Sequence, residues 1–209
     1  TETVYGLGAN ALDATAVKKI FKAKGRPQDN PLILHVNSIE MLEALVEEIS
    51  DKAYKCMEKF WPGPLTILFK KSSIVPDSIT AGLDTVAIRM PSHKIALELI
   101  RLSNKPIAAP SANTSGKPSP TRAEHVIEDM QGKIPFIIDG GETGVGLEST
   151  VLDLTDDIPM ILRPGGITLE DIIGVLGQCG IDPGLEDNIN NIIPKSPGQK
   201  YRHYAPKAQ

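Results

Sequence analysis

The stretch T-E-T-V-Y-G-L-G, residues 1–8, sets two glycines among polar side chains. Glycine allows a positive φ and lets a ligand approach the backbone closely, so the stretch predicts a ligand-binding turn. Hydroxyls and a carboxylate surround the predicted turn, on Thr1, Glu2, Thr3 and Tyr5. A strand normally feeds a turn of this kind. None precedes Thr1, so we expect the N-terminal strand of the sheet to be missing from this sequence.

Length and composition favour a globular protein with one sizeable domain and an appendage. The chain has 209 residues, of which 41% are hydrophobic and 23% charged. No apolar run approaches the roughly 20 residues that span a bilayer, and Cys56 and Cys179 are too few and too distant for a disulfide scaffold. We therefore expect a cytoplasmic protein without membrane contact. The net charge of −4 argues against strong nonspecific binding of nucleic acid but leaves a local basic cleft open.

Helical and strand patterns alternate along the chain, which predicts an α/β fold. N-caps are predicted at Asp13, Ser38, Ser92, Thr121 and Thr168, the last two in capping boxes. The corresponding helices run to about residues 23, 49, 102, 130 and 177, and another covers 52–60. Strands are predicted at 32–36, 65–69, 85–90, 107–109, 136–138, 150–154 and 160–162.

The character of the sequence changes after Gly177. Residues 178–197 are rich in Asn, Asp, Pro and Gly and have little periodicity, which is typical of a linker. The linker ends in S-P-G-Q-K-Y-R-H-Y-A-P, residues 196–206, which carries too many functional side chains for a plain spacer. We therefore divide the chain into a domain over 1–177 and a linker or lid over 178–209.

A set of cations and polar groups follows the first glycine turn. Lys24 and Arg26 frame the end of the first helix, and Asn30 and His35 bracket the next strand. Together they suit an anionic ligand, in particular a nucleotide with its phosphates. The alternatives are a solvated helix end for the cations, which would complement the helix dipole, and a core histidine for His35. Strand alternation places His35 on the face opposite Leu34 and Val36.

Arg89 stands inside the apolar strand V-A-I-R-M, residues 86–90. A buried guanidinium needs a partner. A ligand carboxylate or phosphate would match its planar fork, and a salt bridge to a protein carboxylate is the structural alternative.

Two further loops carry small polar residues. A-P-S-A-N, residues 109–113, follows a buried strand and offers Ser111 and Asn113, with Ser119 close behind. Strand ends in α/β sheets bind ligands, although a plain turn is the alternative. No G-x-S-x-G elbow supports a serine nucleophile.

The second loop, G-E-T-G-V-G-L-E-S-T, residues 141–150, has P-loop glycine spacing. Leu147 and Glu148 stand where a Walker A motif needs Lys and Ser or Thr, so that motif is excluded. The loop can still present N–H groups and Ser149 to an anion, and Arg163 adds a cation nearby. No Cys/His cluster has zinc spacing, and no protein metal site is predicted.

Taken in order, these motifs resemble the YrdC-like threonylcarbamoyl-AMP synthase family. The resemblance covers T-E-T-V-Y-G-L-G, K-G-R-P, N-P-L-I-L-H, A-P-S-A-N, G-x-E-S-T-V and R-P-G. The tail S-P-G-Q-K-Y-R-H-Y-A-P is similar to the interdomain linker of the longer, two-domain members, which implies that the chain stops before a further domain. The resemblance implies an open, twisted, mixed sheet flanked by helices, followed by a linker arm.

The resemblance also implies an activity and a set of roles. Members join L-threonine, bicarbonate or CO₂, and ATP into threonylcarbamoyl-AMP and pyrophosphate, with Mg²⁺ accompanying ATP. Partner proteins then transfer the threonylcarbamoyl group to adenosine 37 of tRNA, so tRNA is an indirect partner. The implied catalytic residues are Lys24 and Arg26. The implied threonine-binding residues are Thr3, His35, Arg89 and Ser149. The implied nucleotide-binding residues are Lys24, Arg26, Asn30, Thr85, Ser111, Asn113, Ser119, Arg163, Tyr201 and Tyr204, the two tyrosines lying in a lid.

Two other functions remain open at this point. One is carbamoyl transfer, as in the related domain of hydrogenase-maturation proteins, although the zinc-finger and acylphosphatase parts of those proteins have no counterpart in this sequence. The other is an RNA-binding module, which the acidic net charge and the scarcity of stacking aromatics disfavour.

Overall fold

A computed structural model of the chain describes residues 1–25 and 27–185. The strands are β1 (Ala9–Asn10), β2 (Ile33–His35), β3 (Leu65–Lys70), β4 (Thr85–Arg89), β5 (Ile107–Ala108), β6 (Thr150–Asp153), β7 (Met160–Arg163) and β8 (Gly180–Ile181). The α-helices are α1 (Ala14–Lys24), α2 (Ile39–Glu43), α3 (Asp51–Phe60), α4 (Asp77–Thr80), α5 (Lys94–Ser103), α6 (Ala123–Met130) and α7 (Leu169–Leu176). A 3₁₀ turn follows at Pro183–Leu185.

Within this described part the strands form one open sheet in the order β1-β5-β2-β4-β3-β6-β7-β8. The pairs β2–β4, β3–β6 and β7–β8 are parallel, and the remaining pairs are antiparallel. The α/β fold with an open mixed sheet and flanking helices is therefore confirmed. The predicted C-terminal linker arm falls mostly on residues 186–209, which lie outside the described residues.

One face of the sheet carries the main aliphatic core. Leu34, Ile67 and Ile88 point to this face and are fully buried against side chains from α1, α3, α4, α6 and α7. Cys56 on α3 lies in this core, with Cys179 packed against it, and both are free thiols.

The opposite face of the sheet holds a small apolar cluster, formed by Ile33, Leu68, Ala87, Val151 and Leu162. Successive strand residues alternate between faces. His35, Arg89 and Thr66 each stand two residues from a member of this cluster, so they share its face. The functional side chains therefore extend the small cluster toward the carboxyl ends of β2 and β4.

Several predicted helix ends are confirmed because they depend on local signals. Asp13 caps α1 by accepting hydrogen bonds from the N–H groups of Thr15 and Ala16, at 2.8 and 3.1 Å. Gly25 ends the helix with a left-handed φ of 67°, which glycine adopts without steric cost. Thr168 and Asp171 form the predicted capping box of α7.

Other predicted boundaries are wrong. The helix expected to run to residue 49 ends at Glu43, because Val46 leaves the helical path and bridges to Lys71. α5 begins after His93 rather than Ser92, and the capping box expected at Thr121 does not form: α6 begins after Arg122 without a side-chain cap.

Two differences concern the sheet. Residues 136–138 are not a strand, since within residues 1–25 and 27–185 no strand pairs with them. Beyond Gly177, β8 pairs in parallel with β7 and places Gly180 beside Met160. The region assigned to a linker from residue 178 therefore begins with a strand of the sheet.

Candidate functional site

A cleft of about 1370 Å³ opens beside the carboxyl ends of β2 and β4. Ligands bind at such strand ends in open α/β sheets. The cleft brings together residues that the sequence predicted from six separate motifs: Thr3, Asn30, His35, Arg89, Ser111, Ser149 and Arg163.

Main-chain hydrogen bonds join three of those motifs into one wall. The N–H of Leu7 donates to the carbonyl of Pro110 at 2.8 Å, and the N–H of Ala112 donates to the carbonyl of Tyr5 at 2.8 Å. On the other side, Val145 donates to the carbonyl of Glu2 at 2.8 Å. The first eight residues therefore run between the A-P-S-A-N segment and the loop before β6.

Gly6 and Gly8 do not adopt the positive φ that the predicted turn would require. They permit close packing of the chain instead. A Cβ on Gly6 would lie 3.3 Å from the Cβ of Ala109, and one on Gly8 would lie 3.0 Å from a methyl group of Ile107. The positive φ considered for these glycines is therefore not adopted, but both glycines line the cleft, and their role in ligand binding stays a prediction.

Arg89 is 3% exposed and anchored on three sides. Its Nε donates to the carbonyl of Gly63 at 3.0 Å, its Nη1 donates to Oγ1 of Thr3 at 2.9 Å, and its Nη2 pairs with Glu2 Oε1. The intramolecular salt bridge considered for Arg89 is therefore present. A guanidinium has five N–H donors, and these contacts use one on each nitrogen.

The charges in this group are held in fixed states. Burial by itself would raise the pKa of Glu2, but the charge and the hydrogen bond of Arg89, together with backbone hydrogen bonds to the carboxylate, hold the pKa of that carboxyl below its usual value. Burial, and after it the positive charge of Arg89, lowers the pKa of His35 to about 3. His35 is thus a neutral imidazole at physiological pH.

Two buried acceptors accompany Arg89. Within the described residues, Oε2 of Glu2 and Nδ1 of His35 have no hydrogen-bond partner. Buried polar atoms are normally paired, so these two are suited to a ligand that brings hydrogen-bond donors. The site therefore offers both a cation and unpaired acceptors.

Ser149 and Arg163 form the neighbouring part of the cleft. Arg163 donates from Nε and Nη2 to the carbonyl of Ser149 at 3.1 and 2.8 Å, and from Nη2 to its hydroxyl at 3.1 Å. Ser149 Oγ also lies 2.7 Å from Oγ1 of Thr66, on β3. The sequence did not single out Thr66, whose signal is a hydroxyl inside a strand that is otherwise apolar until Lys70.

Lys24 is only 2% exposed and points into the protein. Its Nζ donates to the carbonyls of Ser111 and Asn113, at 2.5 and 2.6 Å. Lys24 therefore braces the A-P-S-A-N segment from behind. Its predicted contact with phosphates stays a prediction.

Asp129, on α6, is a second brace that sequence reasoning missed. Its carboxylate accepts the N–H of Thr114 at 2.9 Å and pairs with the ammonium of Lys117. Burial opposes ionisation of Asp129, but the hydrogen bonds from Lys117 and Thr114 hold the pKa of its carboxyl below the usual value. The side chain of Asn113 closes the same loop by donating to the carbonyls of Thr114 and Lys117.

The other predicted residues differ in their placement. Asn30 lines the cleft and has a buried amide oxygen without a partner in the described part of the chain. Ser119 donates to Glu148 at 2.5 Å, which brings a carboxylate to the cleft wall.

Thr85 lies at the far end of β4, four residues or about 13 Å from Arg89, and outside the cleft lining. The expected contact of Thr85 with the nucleotide is therefore not supported. Predicted residues that lie outside the described residues are Arg26, Tyr201 and Tyr204.

Two family profiles match the chain. Residues 1–165 match the profile of the Sua5, YciO and YrdC proteins, described as "Telomere recombination", and residues 167–209 match "Threonylcarbamoyl-AMP synthase, C-terminal domain". The chain belongs to the Sua5/YciO/YrdC family. The resemblance stated from the sequence is confirmed.

Individual relatives agree with the profiles. The threonylcarbamoyl-AMP synthase of Pyrococcus abyssi is 62% identical over the whole chain, and that of Bacillus subtilis is 59% identical over the whole chain. The crystal structure of P. abyssi Sua5 complexed with L-threonine superposes with a TM-score of 0.95 at 61% identity, over 100% of this chain and 61% of that one. The chain spans 61% and 60% of the lengths of the P. abyssi and B. subtilis relatives.

Within residues 1–25 and 27–185, every α-helix is too short or too polar to span a bilayer. No group of three or more His, Cys, Asp or Glu side chains in that part is arranged to hold a metal ion.

Proposed function

We propose that this protein is an L-threonylcarbamoyladenylate synthase, and thus a nucleotidyltransferase. Its substrates would be L-threonine, bicarbonate or CO₂, and ATP, and its products threonylcarbamoyl-AMP and pyrophosphate. The names of the P. abyssi and B. subtilis relatives support this assignment. The observation that carries it is that Arg89 and the unpartnered Nδ1 of His35 line the cleft together, with Glu2 paired to Arg89.

That arrangement suits an amino acid. The N–H groups that Arg89 does not use within the protein can donate to a substrate carboxylate. Nδ1 of His35 can accept from the amine or the hydroxyl of threonine. A neutral imidazole is needed for this purpose, because a protonated one has no acceptor. A ligand that brings both a donor and an anionic group satisfies His35 and Arg89.

The nucleotide would lie along the A-P-S-A-N segment and the Arg163 side of the cleft. Lys24 and Asp129 fix that segment from behind, so its polar groups are preorganised for phosphates and ribose. Mg²⁺ would accompany ATP and bind mainly through its phosphates, which is the usual way a protein holds Mg²⁺ with few carboxylates. Glu148 is the carboxylate on the cleft wall that could take part.

The reaction needs alignment and charge stabilisation rather than a protein nucleophile. The amine nitrogen of threonine bonds to the carbon of CO₂ and loses a proton, which gives a carbamate. A carbamate oxygen then bonds to the α-phosphorus of ATP, and the bond from that phosphorus to the bridging oxygen breaks as pyrophosphate leaves. Arg163 and the cations of the site would stabilise the charge on the phosphates.

We further propose that the protein acts in the cytoplasm and reaches tRNA only indirectly. Partner proteins would move the threonylcarbamoyl group from the adenylate to adenosine 37. In this scheme the transfer would take place on those partner proteins.

The test is release of pyrophosphate from ATP in the presence of Mg²⁺ and bicarbonate, with and without L-threonine. The expected result is threonine-dependent release, with threonylcarbamoyl-AMP identified by its mass. A parallel reaction with carbamoyl phosphate in place of threonine and bicarbonate tests the carbamoyl-transfer alternative. Pyrophosphate release at the same rate with and without L-threonine would contradict the proposal. Formation of a carbamoylated adenylate from carbamoyl phosphate and ATP alone would also contradict it.

A further inference from the structure

Thr66 is a buried hydroxyl that lies between the two parts of the cleft. It is 0% exposed, and on β3 it stands directly opposite Arg89 of β4. The residues beside it in the strand, Leu65 and Ile67, are fully buried and apolar. A hydroxyl in such a position costs stability unless it is hydrogen-bonded, so the partner of Thr66 is informative.

The direction of the hydrogen bond between Thr66 and Ser149 follows from a count of donors and acceptors. Within the described residues, the hydroxyl of Thr66 has one partner, Oγ of Ser149 at 2.7 Å. If Ser149 donated to Thr66, the proton of Thr66 would be buried with nothing in that part of the chain to accept it. Thr66 must therefore donate, because an unsatisfied buried donor is costly.

This direction determines where the proton of Ser149 points. A serine oxygen has two acceptor lone pairs and one proton. One lone pair accepts from Nη2 of Arg163 at 3.1 Å, and the other accepts from Thr66. The proton of Ser149 is then left for a group outside this network, and Ser149 lines the cleft.

We propose that Thr66 is a positioning residue that makes Ser149 a hydrogen-bond donor toward an acceptor oxygen of the bound threonine. This inference rests on the proposed function. Thr66 itself does not line the cleft and acts through Ser149. An amino acid held by Arg89 lies next to this donor, because Thr66 and Arg89 are paired in register across β3 and β4.

The decisive variant is Thr66→Val, which keeps the shape of the side chain and suits a strand. Without the hydroxyl, Ser149 regains a free lone pair and its proton is no longer directed into the cleft. We expect the affinity for L-threonine, measured by calorimetry on the 209-residue chain, to fall roughly 3- to 10-fold, the usual range for one hydrogen bond. ATP affinity and melting temperature should change little.

Three companion variants separate positioning from a structural effect. Thr66→Ser keeps the donor and should restore threonine affinity. Thr80→Val makes the same exchange at a buried threonine outside the cleft, whose hydroxyl has no partner in the described part of the chain, and should leave affinity unchanged. In a Ser149→Ala background, Thr66→Val should cause no further loss of affinity.

The outcomes distinguish this inference from the proposed function. If wild-type protein binds no threonine, both are overturned. If wild-type protein binds threonine and Thr66→Val binds it equally well, only the role of Thr66 is refuted. An equal loss in the Ser149→Ala background also refutes it, because Thr66 would then act through the fold and not through Ser149.

Discussion

Replacing Arg89 with alanine tests the centre of the site. The guanidinium makes the ion pair with Glu2 and holds Thr3, while its remaining N–H groups are assigned to the carboxylate of threonine. Arg89→Ala should therefore have two separable effects. One is a loss of stability, because Glu2 and Thr3 would lose their partner, and the other is a loss of threonine affinity.

The structure indicates the size of both effects. The Glu2 side chain is 15% exposed and forms an ion pair with Arg89. Removing one member of a buried ion pair costs about 3–5 kcal/mol, a large share of the roughly 5–15 kcal/mol that holds a domain together. A hydrogen bond to a charged group contributes about 1.5–3 kcal/mol, so threonine affinity should fall ~10- to 100-fold.

The assay pairs denaturant unfolding with calorimetry of threonine binding. The double variant Glu2→Gln/Arg89→Ala also removes the unpaired negative charge of Glu2. It should recover much of the stability while threonine affinity stays low. Arg101→Ala is the matched control, because Arg101 pairs with Glu98 on the surface, where both side chains are more than half exposed. Such pairs contribute about 0–1 kcal/mol, and threonine binding should not change.

Two results would refute this reasoning. If Arg89→Ala binds threonine as tightly as the wild type, the guanidinium does not hold the substrate. If the double variant recovers affinity together with stability, the loss in the single variant came from a damaged fold. ATP affinity should remain largely intact throughout, because the nucleotide is assigned to the other side of the cleft.

Three further predictions concern other parts of the molecule. The pKa of His35 is about 3 in the folded protein and about 6.5 in the unfolded chain, so between these pH values only the unfolded state takes up the proton. The free energy of unfolding should therefore fall by about 1.4 kcal/mol per pH unit below pH 6.5. Urea titrations between pH 7 and 5 should show a flatter slope for His35→Gln. Lys24→Ala should reduce pyrophosphate release at saturating threonine, whereas Lys18→Ala, at an exposed site on the same helix and outside the cleft lining, should not. Equal turnover in both variants would refute the assignment. Gly165→Ala should destabilise the protein by about 1–3 kcal/mol, because the new Cβ would lie 2.4 Å from main-chain atoms of Glu148 and Thr150. Gly144→Ala is the control, because a Cβ there would have no atom within 4 Å. Thermal unfolding of both variants gives the comparison.

Local signals explain which elements could be predicted. The cap at Asp13 and the left-handed Gly25 are satisfied by atoms a few residues away, so α1 is readable from the sequence. The end of α2 cannot be read from the sequence, because it depends on the pairing of Val46 with Lys71, which is distant in the sequence. Residues 136–138 have the composition of a strand, but strand formation needs a paired neighbour, which a local pattern cannot supply.

The same distinction applies to the site. Arg89 stood out because a charge inside an apolar strand is anomalous by itself, but its pairing with Glu2 depends on contacts across 87 residues of sequence. Asp129 gave no signal, since an acid on a helix is ordinary until the fold places it under Thr114. The contact of Thr85 with the nucleotide stays a prediction, because sequence proximity to Arg89 does not say which end of the strand meets the cleft, and Thr85 lies outside the cleft lining.

The alternation of helices and strands, the family resemblance and the residue types that a nucleotide and an amino acid require can all be read from the sequence. These follow from periodicity, capping and ordered motifs, which are encoded within a few residues of one another. In contrast, three features became visible only in the folded chain: Lys24 faces inward onto two carbonyls, Gly6 and Gly8 pack closely against neighbouring chain segments, and Thr66 reaches Ser149. Hydrogen bonds and burial between distant segments depend on strand order and register, and strand order and register are properties of the whole sheet.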